Sequence, residues 1–161
     1  MAEPRPSNSV VKAWVNLTRA QQLALTDIET ALKAADLPPL AWYDALWELE
    51  RAGDVGLRPY ELERRLLLAQ YNLSRLIARL SRAGHVVRKA CKGDGRGQVL
   101  VISASGRALR RRMWAVYGPA MQAALGDRLS EAEIKRLTAL LETLIERREL
   151  TGTPLAGFVN T

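Results

Sequence analysis

Residues 68–102 read LAQYNLSRLIARLSRAGHVVRKACKGDGRGQVLVI. Leu73, Leu76, Ile77 and Leu80 recur at spacings of three and four, which predicts a helix from Ala69 or Gln70 to Ala83, closed by Gly84. Tyr71, Asn72, Arg75, Arg79 and Arg82 face largely away from that stripe. Val86 to Cys91 and Val99 to Ile102 are two short β-prone runs, and the polar, glycine-rich segment between them reads as the tip of a hairpin. Arg96 is carried near that tip, where a narrow groove would receive its guanidinium. Asp94 has no use beside phosphate and either holds Arg96 extended or braces the turn. The bland readings of the same residues are a solvated basic face and an exposed hairpin whose charges block edge pairing.

Upstream, Gly53-Asp54-Val55-Gly56 is a turn, and Arg58-Pro59-Tyr60-Glu61-Leu62 begins a short helix expected to end around Leu67. Helix, tight turn, basic helix and hairpin together make a winged helix-turn-helix, spanning residues 37–103. The fold class is therefore mainly α with a small β-hairpin wing.

Helical patterns flank this module. Residues 1–10 carry two prolines and are expected to form a tail, and residues 11–36 a helix with Val11, Trp14, Leu17, Gln21, Leu25, Ile28 and Leu32 on one face. Pro39 suits the first turn of the next helix, whose inner face is marked by Trp42, Leu46 and Leu49. Ser103 is placed to cap a helix starting at Ala104, with Leu109, Met113 and Val116 inward and a kink expected at Gly118-Pro119. Ser130-Glu131-Ala132-Glu133 has the capping-box spacing and introduces Ile134, Leu137, Leu141, Leu144 and Ile145. The helices of residues 104–150 precede a short extension, 151–161.

The outer helices carry more apolar surface than the central module can cover. A two-fold homodimer through both ends of the chain would bury it and set two basic modules side by side. Such a pair suits half-sites of duplex DNA about 34 Å apart, a pseudopalindrome. The competing reading is a monomer whose terminal helices wrap its own core.

Charge supports the same division. The 161 residues carry a net +7, yet residues 61–117 hold 13 Lys+Arg against 3 Asp+Glu, while the segments on either side are slightly acidic. A polyanionic partner follows, without a choice among DNA, RNA and an acidic membrane. One cysteine excludes an internal disulfide and points to a reducing cytoplasm; with a single histidine it also argues against a zinc site. No apolar run approaches a membrane span, and no nucleotide-binding glycine loop, serine elbow or metal quartet suggests an enzyme, so no cofactor is expected. Cys91 reads better as a packed strand residue than as an oxidation switch.

The run Leu68 to Leu80, then Ala83-Gly84-His85-Val86 and Arg88, Asp94-Gly95-Arg96 and Val101-Ile102-Ser103-Ala104-Ser105-Gly106, resembles the MarR family of bacterial winged-helix transcriptional regulators. The resemblance extends more loosely over residues 10–150. It implies that Gln70, Tyr71, Asn72, Ser74 and Arg75 occupy recognition-helix positions, Arg96 the minor-groove position of the wing, and Asp94 the place of its supporting acid. Ser103 stands where the family usually has threonine, and Arg64-Arg65 and Leu66-Leu67 replace a commoner small or acidic composition.

Arg58, Arg64, Arg79, Lys89 and Lys92 are candidates for DNA-backbone contact. Gln70 and Asn72 can pair with adenine and Arg75 with guanine. The resemblance further implies a repressor relieved by a small aromatic or lipophilic effector, with Trp14, Arg19, Trp42 and Trp47 as a candidate pocket; core or dimer packing is the plainer role for each tryptophan. The alternatives are a nonspecific or nucleoid-associated nucleic-acid binder and an effector-independent activator.

Overall fold

A computed structural model describes residues 5–67, 72–91, 93 and 97–149. Helix α1 (Asn8–Ala34) starts earlier than the apolar stripe predicts, because Ser7 caps it by accepting the Val10 N–H at 3.3 Å; Asn8 to Val10 are thus helical rather than tail. After Pro38-Pro39, α2 (Leu40–Ala52) runs into a 3-10 turn, Gly53–Val55. Helix α3 (Pro59–Arg65) has proline in its first turn and stops two residues short of Leu67, where Leu66 turns extended.

Helix α4 (Leu73–Arg82) starts later than predicted. Asn72 is its cap, not an interior residue: its side chain accepts the Arg75 N–H at 3.1 Å. Gly84 ends the turn at φ +78, and β1 (Val86–Ala90) pairs antiparallel with β2 (Gln98–Ile102), Val86 opposite Ile102. Leu57 adds a one-residue third rung, exchanging hydrogen bonds with Leu100 at 3.0 and 2.7 Å. Gly56 is required there, since a Cβ would lie 2.5 Å from the Leu100 carbonyl oxygen.

Helix α5 (Ala104–Met121) continues through Pro119 and gives way to a π-helical turn, Gln122–Gly126. Helix α6 (Glu131–Glu149) begins with the expected box, the Ser130 N–H donating to Glu133 at 2.8 Å and the Glu133 N–H to the Ser130 hydroxyl at 3.4 Å. No helix among the described residues is long and apolar enough to cross a membrane.

One core joins these elements. Leu32, Leu46, Leu49, Leu62, Leu80, Leu100 and Met113 are its fully buried side chains, drawn from five helices and the hairpin. It takes only the C-terminal half of α1: Ile28 and Leu32 are inside, whereas Trp14 is 68% exposed and Val11 and Leu17 lie open. On α6, Leu140 is 60% exposed, Leu144 and Ile145 are exposed, and no described side chain of residues 131–146 is buried.

Candidate nucleic-acid interface

Helix α4 divides as its periodicity requires. Leu76, Ile77 and Leu80 enter the core, while Ser74, Arg75, Arg79 and Arg82 are exposed on the other side. Asn72 is exposed as well, but its carbonyl oxygen already serves the helix cap, so pairing with adenine would require that oxygen to accept a second hydrogen. A cleft of about 180 Å³ joins Asn72, Arg75 and Arg79 to Pro39, Ala41 and Trp42 at the start of α2. The basic face of α4 is therefore continuous with the first turn of α2.

A larger, more polar cleft of about 1090 Å³ opens between the Gly53–Val55 turn, α3 and the tip end of the hairpin strands, and Arg51, Arg58, Arg65 and Lys89 line it with Asp54 and Glu61. Arg58 is half-buried at the head of α3, where its own N–H donates to Glu61 at 2.7 Å. Its guanidinium lies against Gly97, 3.3 Å from where a Cβ would stand. Arg64 and Lys89 are exposed on α3 and β1. Gln70, Tyr71, Lys92, Asp94 and Arg96 lie outside the described residues.

Two buried acids on α2 were not foreseen from the sequence. Asp44, 3% exposed, accepts the Leu67 N–H at 2.7 Å. Glu48, 2% exposed, sits 3.3 Å from Arg51; burial raises its pKa, opposed by the charges of Arg51 and Arg65.

The four residues expected around an effector hold separate environments within the subunit. Trp14 and Arg19 are exposed on the N-terminal half of α1, and Trp42 meets His85 edge-on at 6.0 Å. Trp47 instead belongs to an aromatic layer between α2 and α5. There Tyr43 stacks on Trp47 at 6.4 Å and on Trp114 at 5.9 Å, and Tyr117 meets both Tyr43 and Trp114 edge-on. Arg110 lies 5.2 Å over the Trp47 ring and pairs with Glu50. Burial raises the pKa of Tyr43 and of Tyr117 above the ordinary phenol value. Tyr43, Arg110, Trp114 and Tyr117 escaped the sequence reading because each also fits an ordinary helical face.

His85 stands where α4, β1 and α5 meet, its Nδ1 2.6 Å from the Ser105 hydroxyl. Cys91 is half-buried just past β1, at the tip end of the hairpin, where its N–H donates to the Gly97 carbonyl at 2.7 Å. Among the described residues no cluster of His, Cys, Asp and Glu is arranged to hold a metal ion.

Residues 35–97 match the family model described as MarR family. The fold is that of solved MarR-family structures over nearly the whole chain. Sco3205, a MarR family transcriptional regulator from Streptomyces coelicolor solved in complex with DNA, is 25% identical with a TM-score of 0.82, covering 98% of this chain and 100% of that one. AbsC, a MarR family transcriptional regulator from the same organism, is 21% identical with a TM-score of 0.77, covering 91% and 99%. A mutant MarR from E. coli complexed with operator DNA is 21% identical with a TM-score of 0.73, covering 88% and 99%. No curated protein matches the chain.

Proposed function

We propose that this chain, whose winged module is of the MarR family, is a homodimeric, sequence-specific DNA-binding regulator of transcription. The observation that carries the reading is the exposed row Ser74, Arg75 and Arg79 on a helix whose opposite side is locked into the core, next to the hairpin and in the segment holding the chain's whole positive excess. A helix so held is rigid enough to present side chains to a major groove, while flanking Arg64 and Lys89 neutralise phosphates. Gln70, Tyr71 and Asn72 would extend the reading surface, and Arg96, supported by Asp94, would enter the minor groove, with Arg58 and Lys92 near the backbone.

The homodimer is supported by the apolar faces that the subunit leaves open at both ends of the chain, Val11, Trp14 and Leu17 on α1 and Leu140, Leu144 and Ile145 on α6. Covering what remains exposed of each would gain about 1 kcal/mol or more, and two-fold symmetry doubles every such gain. Repression relieved by a small aromatic or lipophilic compound is the regulatory mode we favour. Of the aromatic layer, the 40% exposed Trp114 ring offers such a compound a stacking surface over the buried Tyr43 and Tyr117.

The deciding experiment measures binding to duplexes selected by the protein from a random pool, against shuffled duplexes of equal length at moderate salt. A ratio of about 10³ or more is expected. Equal affinity for both would leave a nonspecific nucleic-acid binder, and sedimentation showing a monomer on the selected duplex would remove the dimer.

A further inference from the structure

We propose that Asp44 is a positioning residue for the reading helix, acting through the backbone of Leu67; this rests on the DNA-reading function above. A carboxylate 3% exposed on the inner face of α2 is costly unless hydrogen bonds compensate for its lost water. Its Oδ2 receives the Leu67 N–H at 2.7 Å, from 23 residues away in sequence.

The position of that donor gives the hydrogen bond its consequence. The Leu66 N–H still closes α3 on the Leu62 carbonyl at 3.1 Å, and Leu66 then becomes extended at φ −63, ψ 131. Leu66 packs its side chain on the core, and Leu67 follows with its amide bonded to α2, five residues before the Asn72 cap of α4. The Leu67 side chain is 48% exposed, so at this residue the hold is the backbone hydrogen bond, next to the Leu66 side chain packed on the core. Asp44 itself is immobile, since Tyr43, Ala45 and Leu46 beside it are all buried. One end of the connection into α4 is thereby fixed to the helix whose first turn already borders Arg75 and Arg79.

Loss of this attachment would not act equally on all DNA interactions. Long Lys and Arg side chains can follow a phosphate through a small displacement, whereas bidentate base pairing cannot. Asp44 therefore governs discrimination more than general affinity.

The test uses the full-length protein and two duplexes: one selected by the wild type from a random pool, and its shuffled counterpart. Asp44→Ala removes the acceptor. Replacing Leu67 by its α-hydroxy acid removes the donor N–H while keeping the side chain. Both are expected to weaken binding to the selected duplex at least about tenfold. Binding to the shuffled duplex and the salt dependence should stay within about twofold, and Asp44→Asn, which keeps an acceptor oxygen, should lie nearer the wild type. If Asp44→Ala does not fold, the backbone replacement decides alone. An unchanged ratio of selected to shuffled affinity in the folded variants overturns the proposal, as does equal weakening on both duplexes, the mark of a purely structural role. A wild type that selects no sequence at all overturns the DNA reading and this inference with it.

Discussion

The Ser103 hydroxyl donates to the Gly84 carbonyl at 2.6 Å while accepting the Gly106 N–H at 3.0 Å. One side chain thus closes the end of α4 and caps the start of α5, at a joint that the Ser103 N–H to His85 carbonyl bond (3.0 Å) and the His85–Ser105 contact also hold. Ser103→Ala is expected to cost about 1–2 kcal/mol in denaturant unfolding, with Ser103→Thr close to wild type. A loss below about 0.3 kcal/mol for the alanine variant would contradict the dual role.

Arg75 and Arg79, both exposed on α4, should separate by what each one touches on the duplex, a base edge or a phosphate. Arg75→Ala is expected to remove about 1–3 kcal/mol of base discrimination in each half-site. Arg79→Ala should weaken all sequences alike and lower the salt slope by about 1 for each phosphate no longer neutralised. Titrations at several salt concentrations check both.

Glu48 makes folding stability pH-dependent in a defined direction. Its folded pKa is raised by burial, against the attraction of Arg51 and Arg65, above its ordinary 4.5. Between those two values the native chain keeps a proton that the unfolded chain has released, so this group's contribution to stability falls as pH rises through the window. Glu48→Gln should flatten that part of the profile and gain on the wild type as pH rises from about 4 to about 7. A wild-type advantage that grows over the same range would refute the assignment.

Trp14 and Leu144 test association from opposite ends of the chain. Trp14→Asp and Leu144→Arg are each expected to shift the protein to monomer in sedimentation at micromolar concentration, with little change in unfolding of the winged module, because both side chains are exposed within the subunit. DNA binding should weaken by far more than the removal of either side chain alone accounts for.

Replacing Arg110 probes the aromatic layer. Arg110→Leu leaves Glu50 without its nearer partner and uncovers the Trp47 ring, which should lower stability by about 2–4 kcal/mol and change the tryptophan emission. Unaltered emission would show that Arg110 does not cover Trp47 in solution.

Much of the fold was legible because its signals are local. The stripe Leu76-Ile77-Leu80, the helix stop at Gly84, the Ser103 cap and the Ser130–Glu133 box each need only a few neighbouring residues, and each stands as read. The misplaced starts of α1 and α4 have one cause. Ser7 and Asn72 set these starts through side-chain caps, and periodicity, which reports only the buried face, does not mark the residue at which a cap begins the helix. Asp44 and Glu48 were invisible for another reason: a charged residue four positions from its like reads as an exposed edge, and only tertiary packing turns that edge inward. The same holds for the layer around Tyr43, whose members come from two helices more than 60 residues apart.

Helix α1 joins two unlike halves, one anchored by Ile28 and Leu32 and one, around Trp14, without support in its own subunit. A solvent-facing stretch of some four turns is close to the length at which helices in water are marginal. In the proposed homodimer a partner would supply the missing cover, so the order of these first turns is expected to fall on progressive dilution, which hydrogen exchange at several protein concentrations would show.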